Sequence, residues 1–196
     1  MEKPRGFPDN IILIGMFGSG KSTLGRLLAN RLRYHFLDTD QVIEARFKKP
    51  LQKVLERMGM AGFMRLEEET LLSLHPRHCV VSTGGSAVYY PKAMRYLKTL
   101  GPRVYLKVPL AELKRRVPDF DERGTVRKGG CTLDALFRER GPLLSRYSDL
   151  TFKAHGKPWD KLANELLGEW GVRTGPPVTV EKDAKKGPAS RKKKRA

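Results

Sequence analysis

The chain has 196 residues, 39% of them hydrophobic, two cysteines and a formal net charge of +18. That is the size and apolar content of one domain with a full core, no apolar run approaches the length of a membrane span, and the opening MEKPRGFPDN lacks the apolar stretch of a secretory signal, so a cytoplasmic chain with reduced Cys79 and Cys131 is expected. The charge is a weak argument for nucleic acid. Residues 174–196 hold eight Lys or Arg against two acids in a Pro-, Gly- and Lys-rich segment, and the remainder lies over the domain, where a site for polyanionic phosphates would itself gather cations.

In chain order, residues 11–15 form a short apolar run ending abruptly in glycine, the pattern of a buried parallel strand, and residues 21–32 then carry apolar side chains at helical spacing. Further short β-branched or apolar runs follow at 35–38, 79–82, 104–108 and 150–152. Helical patterning separates them, at 40–47, 51–58, 63–73, 91–99, 110–116, 133–147 and 157–170. This alternation predicts an α/β fold with a five-stranded parallel sheet sandwiched between helices, spanning residues 1–172. One long irregular insert, VPDFDERGTVRKGG at 117–130, carries Arg123, Arg127 and Lys128 beside Arg116 and is expected to be functional. Residues 173–196 are expected to be a disordered basic tail. The tail either binds RNA or an acidic surface weakly through RKKKR or is simply solvated.

The turn between the first strand and helix reads Gly15-x-x-x-x-Gly20-Lys21-Ser22, a Walker A pattern at every position. Glycines at 15, 18 and 20 permit backbone angles that side chains forbid, so successive N–H groups can turn inward as an anion nest, and the following helix adds its positive dipole end. Lys21 supplies a point charge for the β- and γ-phosphates, and the Ser22 hydroxyl suits Mg²⁺. A phosphate loop alone leaves GTPase, ATPase and small-molecule kinase open. FLDTD then places Asp38 and Asp40 at the C-terminal end of the second strand, where ligands of open α/β sheets bind. Two residues apart on an extended segment, the two carboxylates would face one site, one near the metal and one near an acceptor hydroxyl; the alternative for Asp40 is a helix N-cap.

The motifs GMFGSGKST, FLDTD, FMRLEEE, VVSTGGSAV, RGTVRKGG and RERGPLLSRY, in that order, resemble the shikimate kinase family of P-loop enzymes from about residue 11 to residue 170. The guanine-reading NKxD motif is missing. The resemblance implies a P-loop NTPase fold with a lid at about 117–130 and an ATP-dependent, Mg²⁺-dependent kinase that phosphorylates a small hydroxy-carboxylate. It implies that Gly18, Ser19, Gly20, Lys21, Ser22 and Thr23 cradle ATP, that Ser22 binds Mg²⁺ directly and Asp38 through water, and that Asp40 contacts and deprotonates the acceptor hydroxyl. It further implies that Arg127 closes over ATP from the lid, that Arg116 stacks near adenine, that Lys157 lies in the adenine loop, that Gly84 and Gly85 let backbone approach the substrate, and that Arg140 binds its carboxylate. Catalysis would rest on Lys21, Asp40 and Arg127, in a chain expected to act as a monomer.

Two positions depart from that pattern. The family's carboxylate-clamping arginine after Phe63 is Met64, and the third glycine of its Gly-Gly-Gly is Ser86. Arg65 does not simply replace it, since adjacent helical positions point about 100° apart. Two readings stay open: shikimate remains the acceptor with Arg140 or Arg65 compensating, or the acceptor is a short hydroxy-amino acid such as homoserine, whose ammonium a second arginine would disfavour. A remoter alternative is an RNA-associated P-loop protein that binds through the tail.

Overall fold

The computed structural model describes residue 4, residues 6–118, residue 120 and residues 132–172. The insert, apart from Val117, Pro118 and Phe120, lies outside the described residues, and so do Arg123, Arg127, Lys128, Cys131 and the tail at 173–196.

Strands β1 (Asn10–Ile14), β2 (His35–Asp38), β3 (Cys79–Ser82), β4 (Arg103–Lys107) and β5 (Leu150–Lys153) form one parallel sheet in the order β2-β3-β1-β4-β5. Every residue of β1 is buried, as expected of a central strand covered on both faces. Its one polar member, Asn10, is satisfied by the chain around it: Nδ2 donates to the carbonyls of Pro76 and Leu100, and Oδ1 accepts the Cys79 N–H. The helices are α1 (Lys21–Leu32), α2 (Thr39–Phe47), α3 (Leu51–Leu72), α4 (Pro91–Leu100), α5 (Leu110–Arg116), α6 (Leu133–Tyr147) and α7 (Trp159–Gly168), with a 3₁₀ turn at Ala87–Tyr89. None is long and apolar enough to cross a membrane.

The helical patterns at 51–58 and 63–73 hold as two segments of α3, which breaks between them at Gly59, where φ of 65° and ψ of 172° are not helical. Two features differ from the sequence expectation. Helix α2 begins one residue earlier than the 40–47 expectation, at Thr39, so Asp40 sits in its first turn and the extended geometry expected for Asp38 and Asp40 does not hold. Asp38, not Asp40, is the N-cap: its Oδ1 accepts the Asp40 N–H at 3.1 Å. Helices α2 and α3 bury a small core of their own, Ile43, Val54, Phe63 and Leu66, separate from the main core over the sheet.

Candidate active site

Order β2-β3-β1-β4-β5 places β1 between β3 and β4, so the chain leaves β1 at the point where the connections diverge and a crevice opens beyond the strand ends. Three consecutive loops meet there. The loop after β1 holds Gly18 and Gly20 at φ of +76° and +90°, the left-handed region that glycine enters without strain, and delivers Lys21 and Ser22 into the first turn of α1. The end of β2 brings Asp38 and Asp40. The end of β3 brings Gly84 and Gly85. Apart from Gly84, these groups line one cavity of about 390 Å³ together with Phe17, Thr23, Arg116 and Trp159.

Within it, the Lys21 ammonium donates to the carbonyls of Gly15 and Met16, both at 3.0 Å, and Ser22 Oγ donates to Asp38 Oδ2 at 2.7 Å. Burial pushes the Lys21 pKa down to about 8, with Asp40 and Asp38 opposing that fall. Asp40 moves the other way. Burial first, then the charges of Asp38 and Glu67, raise its carboxyl to about 7, with Lys21 partly offsetting them. Ser19 is fully buried and its Oγ has no hydrogen-bond partner among the described residues. Arg116 donates to the carbonyls of Ser19 at 3.3 Å and Ala154 at 3.1 Å and is held by Glu112 at 2.8 Å. Its guanidinium carbon lies 5.1 Å from the centre of the Trp159 ring. A second cavity, about 410 Å³, opens on the far side of that pair and is lined by Glu112, Arg115, Gly156, Lys157 and Pro158. Lys157 is exposed there and donates to Glu165 at 2.7 Å.

The acceptor side is built differently from the sequence expectation. Ser86 adds no hydroxyl to the cavity: its Oγ donates at 2.5 Å to Glu67 Oε1, and the Tyr90 hydroxyl donates at 2.6 Å to Glu67 Oε2. Met64 packs, half-buried, against the main core. Arg140 is 4% exposed; its Nε donates to the Tyr89 hydroxyl at 3.0 Å, and a Cβ placed on Gly85 would lie 3.1 Å from its Nη1. A Cβ on Gly84 would lie 2.8 Å from Asp40 Oδ1 and 3.2 Å from Glu67 Oε1, so backbone alone fits between the two acids. Arg127 lies outside the described residues.

Glu67, Tyr89, Tyr90 and Trp159 were not singled out from the sequence. Glu67 had a readable signal: it follows Phe63 by four residues and precedes Leu71 by four, so a carboxylate falls on the buried stripe of α3, where it must find donors or shift its pKa. Burial does raise it, against the lowering effect of its Ser86 and Tyr90 hydrogen bonds.

Comparison with known proteins agrees with this arrangement. The family profile described as shikimate kinase matches residues 17–170. A shikimate kinase of Persephonella marina is 34% identical over 160 residues, covering 81% of this chain and 97% of that protein. One of Nitrosomonas europaea is 40% identical over 139 residues, 69% of this chain and 66% of that protein. The solved structure of a shikimate kinase from Acinetobacter baumannii in complex with shikimate superposes with a TM-score of 0.75 at 29% identity, covering 83% of this chain and 92% of that one. A phosphate loop leading into α1, paired aspartates after β2 and a buried arginine facing a glycine pair after β3, on a scaffold shared over most of its length, make this chain a member of the shikimate kinase family.

Proposed function

We propose that the chain transfers the γ-phosphoryl group of ATP to a hydroxyl of shikimate, giving shikimate 3-phosphate. The observation that carries this reading is the convergence of Lys21, Ser22, Asp38, Asp40 and Gly85 on one cavity, with the Arg140 guanidinium against Gly85. The chain's work is positioning and charge neutralisation. Phosphate-loop amides and Lys21 hold the transferring oxygens, and a Lys21 pKa near 8 keeps its ammonium mostly charged at neutral pH. Asp40, with a pKa near 7, accepts the proton of the attacking hydroxyl without requiring strong base. Arg140 binds the carboxylate of the acceptor, and Arg116 with Trp159 flanks the passage to the outer cavity, where the base of ATP lies near Lys157. Arg127 is assigned to the closing lid on the family resemblance.

Ser22 and Asp38 fit Mg²⁺. One hydroxyl and one carboxylate 2.7 Å apart, with no group of three or more His, Cys, Asp or Glu that could hold a metal among the described residues, form a sparse oxygen set, suited to an ion that keeps waters and phosphate oxygens in its shell. When bound, Mg²⁺ supplies neutralisation of phosphate charge.

The homoserine alternative drew on Met64 and Ser86. With Met64 against the core and the Ser86 hydroxyl committed to Glu67, neither contributes a group that selects an ammonium, and the relatives compared are shikimate kinases. The test is coupled ADP release by the purified chain with ATP and Mg²⁺. Release that depends on shikimate and yields a product heavier by one phosphoryl group is expected. Release at the same rate without an acceptor would overturn the proposal.

A further inference from the structure

The acceptor side of the cavity raises a question of rigidity. Arginine is a long side chain with several free torsions, and a guanidinium grips a carboxylate well only when its fork is aimed before the ligand arrives. With methionine at position 64, the carboxylate grip falls to Arg140. Something must hold that one fork in place.

We propose that Tyr89 is a positioning residue for acceptor binding, fixing the Arg140 guanidinium so that its two terminal nitrogens face the cavity. This rests on the reading of Arg140 as the carboxylate-binding group. Tyr89 meets Arg140 in two ways: its hydroxyl accepts the Nε–H at 3.0 Å, and its ring centre lies 5.0 Å from the guanidinium carbon. A hydrogen bond at Nε uses the nitrogen least suited to an end-on carboxylate and leaves Nη1 and Nη2, the pair that forms two parallel bonds, for the ligand. Neither terminal nitrogen has a hydrogen-bond partner among the described residues, and neither is a fully buried polar atom lacking one, so both stay open to a ligand. Nη1 is the nitrogen that crowds Gly85, a lining residue of that cavity.

The local chain explains why Tyr89 can do this. The turn Ala87–Tyr89 follows directly from the glycine pair, with the Tyr89 N–H bonded to the Ser86 carbonyl at 2.9 Å, so the segment that lines the cavity also carries the clamp. Adjacent tyrosines divide two tasks: Tyr90 turns to Glu67 on α3, and Tyr89 turns to Arg140 on α6.

The experiment is steady-state kinetics of the full chain with shikimate and ATP varied separately, on Tyr89→Phe, Tyr89→Leu, Arg140→Ala and the double variant Tyr89→Phe with Arg140→Ala. Tyr89→Phe keeps the ring and loses the hydroxyl; KM for shikimate is expected to rise roughly 5- to 20-fold with kcat and KM for ATP little changed. Tyr89→Leu loses both contacts and should raise it further. In the Arg140→Ala background, Tyr89→Phe should add nothing, because the group it positions is gone. Native-like KM for shikimate in both Tyr89 variants, beside a large rise in Arg140→Ala, would overturn the role of Tyr89 alone. A native-like Arg140→Ala would overturn the reading of Arg140 on which it depends. Equal damage to kcat and to both KM values in Tyr89→Leu, unaccompanied by a selective shift in Tyr89→Phe, would show a merely structural tyrosine and also overturn the proposal.

Discussion

Asp40 stands where burial, Asp38 and Glu67 all oppose its negative charge, and its carboxyl titrates near 7 instead of the ordinary 3.8. Ionising it is therefore harder in the folded chain than in the unfolded one. The stabilising contribution of the neutral acid is fully present below the unfolded value and is lost as pH rises through 7. Asp40→Asn is neutral at every pH, so in nucleotide-free buffer it is expected to melt several degrees above the native chain at pH 8, with the gap closing as pH falls from 7 toward 4. A gap that stays constant between pH 8 and pH 5 would contradict the shifted pKa. The same substitution removes the proposed proton acceptor and should lower kcat by about two orders of magnitude or more. Lys21→Ala should also cost at least about a hundredfold in kcat, since the phosphates lose a buried cation, with the fold retained.

At the scale of elements, α3 shows how much the sequence could disclose. Its apolar spacing on either side of Gly59 was legible as two helical segments, and the glycine between them, at non-helical φ and ψ, is where the path breaks. No atom lies within 4 Å of a Cβ at Gly59, so the obstacle to substitution there is backbone strain alone. Gly59→Ala should destabilise the chain by about 1–3 kcal/mol, seen as a lower denaturation midpoint with an unchanged m-value. The phosphate loop was legible because its parts lie within eight residues and its chemistry dictates their order. The acceptor side was not, since Ser86 meets Glu67 across 19 positions and Arg140 meets Tyr89 across 51. No local periodicity reports such contacts. The 3₁₀ turn at Ala87–Tyr89 is likewise too short for any periodic signal, and the start of α2 at Thr39 depended on the side chain of Asp38 capping it.

For the molecule as a whole, the loops at the carboxyl ends of β1, β2 and β3 converge on one cavity, so the strand order itself brings together the groups proposed for phosphate, metal and acceptor. The basic tail at 173–196 lies outside the described residues, and its removal is expected to leave kcat and both KM values within about twofold of native. A large loss of turnover on truncation would assign the tail a part in catalysis. Met64, where the family pattern has a second arginine, packs against the core, and the proposed acceptor is shikimate. The most direct test offers the full chain equal concentrations of shikimate, homoserine and gluconate with limiting ATP and Mg²⁺, and reads the products by mass spectrometry. Shikimate phosphate as the dominant product is the result predicted here, and phosphohomoserine or phosphogluconate in its place would contradict it.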